Sequence, residues 1–496
     1  MELIRNTELL LVVLKLIFKK NIIMKKYIYI IVFALLGLVS CKKDFLDRKP
    51  ISDVTEGNFF KTAADAEAGI IAVYSAFISE NYIFDYYINN DVVSDNCYSG
   101  GDNPNNFQLD EFTTTALNGN VSRDWGYFYE AIGRANAVLD NVGNIQSLDL
   151  TEQRKQEILG EAAFIRAFHY FQMVNIWGEV PLIVHKVNST DPAVVYQPKS
   201  SIDAIYNSII ADLKFAMEKV PLAYPQNKQR VTIGACNALL AKVYAQKPNP
   251  DWALALQYAE AVTSNTSYKL LTNYDFLWDG KHENSTESIF EIQFINNSDQ
   301  ANWGPMLWLP PSMNNTSWRK FNTPSNDLIA AFKMANDTVR LHSSILFEGS
   351  LPWKDAHYPN DTVPFPFKQR SAQAGRADNN ILIRLADIIL LQAEAKNELG
   401  NTAGAQTDLN TVRNRSLLPN TLATSQASLK DSILLERRLE LAFEGHRWFD
   451  LKRSGKVLSI MNNLGFTYNV TQNKLVLPIP QNELDRNPKL TQNLGY

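Results

Sequence analysis

The chain has 496 residues, 48 Lys and Arg against 52 Asp and Glu for a formal charge of −4, and three cysteines. The net-acidic balance, without any run of basic residues interleaved with aromatics, excludes nucleic acid as the main partner, because phosphate binding needs clustered Lys and Arg. Three cysteines exclude a disulfide framework at this size, and the length predicts two closely packed halves, residues 41–264 and 265–496.

Taken in chain order, the first feature is a targeting segment. Lys25 and Lys26 precede an uncharged, mostly apolar run over 27–40 that ends in the small residue Ser40, the layout of a secretory signal peptide. The run is too short to span a bilayer, which needs roughly 20 apolar residues. Leu38-Val39-Ser40-Cys41 resembles the bacterial lipobox, in which the cysteine becomes the lipidated first residue of the mature protein. That resemblance implies several acyl chains, palmitate among them, on Cys41. Residues 1–23 carry a separate apolar patch broken by Lys15, Lys19 and Lys20; they read as an upstream extension, with Met24 as the start and 24–40 as the signal peptide. Without residues 1–40 the chain keeps 42 basic and 50 acidic side chains, about −8. The anchor must then come from lipid rather than a polybasic patch, and two or more acyl chains hold stably where one holds marginally. Cys97 and Cys236 remain, with a bridge between them left open; Cys236 lies in an apolar helical run and reads as a small core residue.

From Val121 onward helical patterning dominates. Residues 122–142 place Trp125, Phe128, Ile132, Ala135 and Leu139 on one stripe. Thr151 caps a helix running to Trp177, stopped by Gly178 and Pro181. Further helices are expected over 201–219, over 232–246 behind Thr232, and from Asp251 to about Thr263. Between 265 and 370 the pattern breaks down, apart from a short strand at 289–294. Helical order is expected to return at Asn379 and, after a turn at Asn401, to continue from Thr402 to Arg415. Helix, tight turn and second helix, with alanines at the crossing points, look like a tetratricopeptide unit, and 233–263 reads similarly. The expected fold is mostly α: a tetratricopeptide-like helical-repeat scaffold with a loop-rich, partly β insertion region.

Several segments together resemble the SusD/RagB family of outer-membrane nutrient-binding lipoproteins. The strongest is ERRLELAFEGHRWFDLKRSG at 436–455. NILIRLADIILLQAEAK at 380–396, EAAFIRAFHYFQMVNIWGEVPLI at 161–183, the start at Cys41, Asp44 to Asp47 and Pro50, and the end PIPQNELDRNPKLTQNLGY follow in the family's order. Read from its residues alone, 436–455 is a helix with Leu439, Ala442 and Phe443 on its apolar stripe, ended by Gly445 in the left-handed conformation. A second short helix carries Trp448, Phe449 and Leu451. Arg437, Glu440, Glu444, Arg447 and Asp450 read as a charged network locking the two helices at a corner, with Arg447 paired to Asp450 and Glu440 to Arg437. This reading is preferred to a metal site on His446 and Asp450.

No His-Glu-x-x-His or Cys-x-x-Cys spacing, nucleophile elbow or phosphate-binding glycine loop is present, so no cofactor, no metal and no catalytic residue is expected. The resemblance implies capture of an oligosaccharide outside the cell and delivery to a SusC-like TonB-dependent transporter in the outer membrane. Sugar rings stack their C–H faces on aromatic rings and need amide or carboxylate partners for their hydroxyls. Such residues collect in loops at Trp303, Trp308, Trp318 and Trp353, with Asn302, Asn314, Asn315 and Asn322, and again at 95–106 around Asn96 and Tyr98. Asn96, Tyr98, Trp303, Trp308 and Trp318 are the ligand-binding candidates, whereas Trp125, Trp177, Trp252 and Trp448 sit on helical stripes and read as core. The alternatives are a lipid-anchored tetratricopeptide adaptor for peptide or glycoprotein, and a glycoside hydrolase, whose carboxylate pair would meet only in space.

Overall fold

The computed structural model describes Val12, Lys15 and residues 59–224, 229–296, 300–313, 319–360, 362–370, 377–465 and 470–496. Cys41 with its signal segment, and Trp318 with Asn314 and Asn315, lie outside them. Helix α1 (Ala63–Tyr74) begins at a capping box, Thr62 and Asp65 each accepting from the other's backbone N–H at 3.1 and 2.8 Å. Two π-helical turns, Asn81–Asp85 and Ile88–Val92, lead to the two-residue strand β1 (Cys97–Tyr98). Helix α2 (Pro104–Asp110) starts with Asn103 as cap and Pro104 in the first turn.

The scaffold follows with a capped start at each helix. Helices α3 (Gly119–Asn141), α4 (Glu152–Trp177), α5 (Ile202–Met217), α6 (Ile233–Gln246) and α7 (Trp252–Thr263) begin at Asn118, Thr151, Ser201, Thr232 and Asp251. Each cap side chain accepts a first-turn N–H, a contact worth about 1 kcal/mol. Helix α4 is buried on every side from Glu157 to Trp177, so it is the central rod rather than a one-faced surface helix. It ends where Gly178 takes φ 73°.

The segment 265–370 holds more order than the sequence pattern suggests. Strand β2 (Ser288–Ile292) is as expected, but β3 (Thr323–Pro324), α8 (Asn326–Met334, capped by Ser325), α9 (Thr338–Ser344, capped by Asp337), β4 (Ile345–Gly349) and β5 (Thr362–Pro366) follow. The expected helix from Asn379 also begins later. Residues Asn380–Arg384 are strand β6, antiparallel to β2 with Glu291 opposite Ile381, and only then does α10 (Leu385–Glu398) start. The apolar, β-branched NILI run pairs with β2 because that edge was open, and tertiary pairing overrides the adjoining helical pattern. Helices α11 (Thr402–Arg415), α12 (Gln426–Glu440) and α13 (Arg447–Arg453) complete the chain's main elements.

Neighbouring helices stack in order: α3 on α4, α4 on α5, α6 on α7, and α10 on α11, with α7 packed on α10 although 264–384 intervenes. One continuous core runs through the helices of both expected halves, and Phe60–Tyr496 forms one compact unit. Trp125, Trp177 and Trp448 are buried in it, Trp252 half so. Cys97 and Cys236 are free and buried.

Candidate functional site

The corner at 436–455 is built differently from the sequence expectation. Helix α12 ends at Glu440, and Phe443 and Gly445 both take left-handed φ, 63° and 72°. A Cβ on Gly445 would lie 2.2 Å from the Tyr86 ring, so both the conformation and the space call for glycine. The expected pairs, Arg437 with Glu440 and Arg447 with Asp450, each lie within one helix, yet long-range partners replace both. Glu440 pairs with Arg340 (2.9 Å), Arg384 (2.6 Å) and Arg415 rather than Arg437. Glu444 pairs with Arg384 (2.7 Å) and Lys368 (2.5 Å). Arg437 bridges Asp387 (2.7 Å) and Asp450 (2.9 Å), and Asp450 also takes Arg453 (2.9 Å).

This interior is charge-balanced around Arg384. Arg340, Lys368, Arg384, Arg413 and Arg415 face Glu287, Asp337, Glu436, Glu440 and Glu444. The Tyr274 hydroxyl donates to the Glu440 carbonyl at 2.8 Å, and its ring lies 4.7 Å from the Arg415 guanidinium. Burial alone would raise the Glu440 carboxyl, but Arg415, Arg384 and Arg340 hold it far below the usual range. Against the same burial penalty, Arg437 and Arg453 hold Asp450 at about 2. His446, pushed down to about 4 by burial and by Lys242, is a neutral ring.

One arm of the corner reaches a loop-rich face. Arg447 grips Asp95 with two bonds of 2.7 Å, and Arg438 donates to the Asn96 side-chain oxygen and the Asp95 carbonyl, both at 2.9 Å. Asp95 and Asn96 launch β1, which pairs with β3 in the register Cys97 to Pro324 and Tyr98 to Thr323. The Gly100 N–H then donates to the Lys320 carbonyl at 3.0 Å. A Cβ on Gly100 would meet Lys320 at 2.4 Å, and one on Gly101, at φ 75°, would meet the Phe321 ring at 2.4 Å. The two glycines let the 95–106 loop lie flat on the 319–324 segment that ends in β3.

Aromatic rings and polar groups converge there. The Tyr98 and His357 rings stack with centroids 4.0 Å apart, and the Tyr358 hydroxyl donates to the Pro324 carbonyl at 2.5 Å. The Lys320 amine pairs with Asp355 and lies 4.9 Å from the centre of the half-buried Trp353 ring. The Ser99 N–H donates to Asp110 at 2.8 Å, yet burial pushes that carboxyl up to about 7. The His357 side chain keeps 56 % of its surface exposed. This arrangement can stack a flat C–H face on Trp353 or His357 and offer Lys320 and loop amides to hydroxyls, while the buried Asp355 holds Lys320 and the His357 backbone N–H in place.

The sequence candidates distribute unevenly over this face. Tyr98 is in it, though His357 covers its ring and leaves it 8 % exposed. Trp303 is half-buried and reaches the same layer through Phe84, whose ring lies 6.4 Å from Trp303 and 5.6 Å from Phe321. Trp308 is 2 % exposed, stacked on Phe84 and edge-on to Tyr87; its surroundings are core, which removes it from ligand contact. Asn96 is likewise wholly buried, its oxygen taken by Arg438. Asn302 is buried and donates to the Asp378 carbonyl and to Asn380. Lys320, Asp355, His357, Tyr358 and Asp110 were missed. The Trp-Lys-Asp-x-His run at 353–357 carries the right chemistry but has no periodicity to mark it. Among the described residues no group of three or more His, Cys, Asp or Glu is placed to hold a metal ion, and no helix is long and apolar enough to cross a membrane.

Comparison with known proteins agrees with this architecture. The SusD family model matches residues 354–496, and a second model, described as starch-binding associating with outer membrane, matches 44–245. SusD-like protein P25 of Formosa agariphila is 27 % identical over 95 % of this chain and 99 % of its own length. A SusD-like protein of Bacteroides ovatus is 28 % identical over 89 % of this chain and 86 % of its own. Among solved structures, a laminarin binding SusD-like protein is 28 % identical with a TM-score of 0.75, over 88 % of this chain and all of that one. Surface glycan-binding protein A from Bacteroides thetaiotaomicron, 22 % identical over 88 % of this chain and all of that one, shares the fold with a TM-score of 0.75. With both models matched in order and the helical-repeat scaffold in common, the chain belongs to the SusD/RagB family.

Proposed function

We propose that this protein is a binding protein, not an enzyme, which captures an oligosaccharide at the cell surface and passes it to a SusC-like TonB-dependent transporter. The observation that carries the reading is the loop face where Trp353, His357 and Tyr98 gather around Lys320 and Asp355. The half-buried Trp353 ring and the exposed His357 ring, which Tyr98 backs from below, stand beside charged and amide groups on loops fixed to a rigid helical scaffold and fit a ligand with alternating C–H faces and hydroxyls. Family relatives named as laminarin binding and surface glycan-binding support the ligand class. In this reading Cys41 carries the lipid that holds the protein on the outer membrane, facing outward, and Trp303 and Trp318 are further candidates for ligand contact.

Affinity electrophoresis through a panel of soluble polysaccharides tests capture. At least one glycan should retard the protein, and the double variant Trp353→Ala with His357→Ala should migrate freely through it. Free migration of the wild type on every glycan, or unchanged retardation of the double variant, overturns the reading. Pull-down from solubilised outer membrane tests the partner, which should appear as a large barrel protein.

A further inference from the structure

A separate cavity, lined by none of the loop-face residues, lies against α3. It holds about 780 Å³ between α3, the extended segment 181–187 with Tyr196, and the C-terminal stretch 483–490. Its walls are tied together before any ligand arrives. The Tyr129 hydroxyl donates to the Pro181 carbonyl at 2.8 Å, Asn136 donates to the Ile183 carbonyl at 2.9 Å, and Asn487 donates to the Gln197 carbonyl at 2.8 Å. A cavity of this size with fixed walls falls in the range of ligand sites for small molecules, roughly 300–1,000 Å³.

Two features say what it would hold. First, most of its polar side chains have partners within the fold: Tyr129, Asn136 and Asn487 bond the walls, Arg134 pairs with Glu130 at 2.5 Å, Arg486 pairs with Glu483 at 3.0 Å, the His185 ring meets Asp140 at 2.8 Å, and Gln197 donates to the Val194 carbonyl at 2.8 Å. The larger share of the lining is apolar, from the rings of Tyr129 and Tyr196 with Ile132, Ile183, Val187 and Leu490. A sugar entering here would lose water from its hydroxyls with few partners to replace it, whereas an apolar body would gain from the surface it buries.

Second, the helix floor carries Gly126 and Gly133, seven residues and so about 10 Å apart on one line of the helix. Each weakens α3 relative to alanine. A Cβ at either position would meet nothing within 4 Å, so no neighbour in the fold requires a glycine there. Bare backbone in the middle of a 23-residue helix, opening onto the cavity, makes a flat strip on which a ring system can lie against the peptide groups.

We infer that this cavity is a second ligand site, separate from the loop face, that takes a small molecule with a planar apolar body, of aromatic ring-system size. The body lies along the Gly126–Gly133 strip between Tyr129 and Tyr196. This goes beyond the glycan reading and does not depend on it.

Titration of the purified protein with the neutral fluorescent probe N-phenyl-1-naphthylamine tests the site. Saturable, one-site enhancement is expected. Gly133→Leu, which fills the strip, should weaken it about tenfold or more without lowering the melting temperature; Gly126→Leu, at an exposed position, repeats the test should the first variant fold poorly. Tyr98→Ala on the loop face should leave probe binding unchanged. Absence of saturable enhancement, wild-type affinity in a folded Gly→Leu variant, or loss of the probe on Tyr98→Ala alone each overturns the inference. Displacement of the probe by a soluble glycan, abolished by Gly133→Leu, would also overturn it in favour of a sugar site.

Discussion

Replacing Arg447 by Met should weaken the fold and loosen the loop face together. Arg447 holds Asp95 with two 2.7 Å bonds, and the two side chains are 4 % and 1 % exposed. Breaking such a buried pair by removing one partner costs about 3–5 kcal/mol. Arg438 stays 3.1 Å from the orphaned carboxylate, which places the loss toward the lower end. Protonating Asp95 sets a ceiling: from an ordinary pKa near 3.9, that costs about 4 kcal/mol at pH 7. The expected loss is therefore about 3–4 kcal/mol. With an unfolding entropy of about 2.1 cal/mol/K per residue over about 440 residues, the melting temperature should fall by about 3–4 °C.

The sign of the pH dependence follows from Asp95. Although burial opposes it, Arg447 and Arg438 hold this carboxyl below its ordinary value, so its contribution is present above the unfolded pKa and fades as pH falls through the folded one. In Arg447→Met the orphaned carboxyl can fold protonated at a cost that falls by about 1.4 kcal/mol per pH unit down to about pH 4, so the gap to wild type should close as pH drops from 7 toward 4. Calorimetry at both pH values measures it, and hydrogen exchange at Ser99, Gly100 and Ser325 should accelerate about tenfold or more. The double variant Asp95→Asn with Arg447→Met should recover much of the loss. A melting temperature within about 1 °C of wild type at pH 7, or unchanged exchange at these amides, would refute the idea that the corner supports the face.

Other consequences are equally direct. Burial pushes the Asp91 carboxyl up to about 7 although the Gly445 N–H donates to it. With the folded pKa above the unfolded one, stability is lost as pH rises from about 4 through 7; Asp91→Asn should flatten that part of a chemical-denaturation profile by up to about 4 kcal/mol. Gly101→Ala, forced to φ 75° against Phe321, should destabilise the loop by about 1–3 kcal/mol and abolish glycan retardation in gels while the helical circular dichroism persists. Cys41→Ala should leave folding and glycan binding intact but release the protein from the membrane fraction, which fractionation and uptake assays would read.

The helical scaffold was legible because helices α3 to α7 each announce their start. Thr151, Thr232 and Asp251 are caps in the sequence and in the structure, and the apolar spacing behind them is local information. Strand β6 was missed because ILI continues without a break into LADIILL, and only the open edge of β2, nearly a hundred residues earlier, selects a strand. The corner's residues were recognisable but its pairs were not: an ion pair inside one helix can be read from spacing, whereas Arg447 with Asp95 cannot. The same limit explains the aromatic candidates. Trp303 and Trp308 are five residues apart in one loop, and the turn at Gly304–Leu307 sends the second into the core and leaves the first at the surface.

The Arg447–Asp95 clamp also sets an order of events in synthesis. Its partners are 352 residues apart, and the loop it steadies packs against strands and rings from 319–358. Contacts of such long range form only after the intervening chain has been ordered. A chain emerging N-terminus first can complete its early helices while the clamp's second half is still unmade. The loop face then becomes competent in the last stage of folding, so a truncated or stalled product would present a helical body without a formed glycan-binding surface.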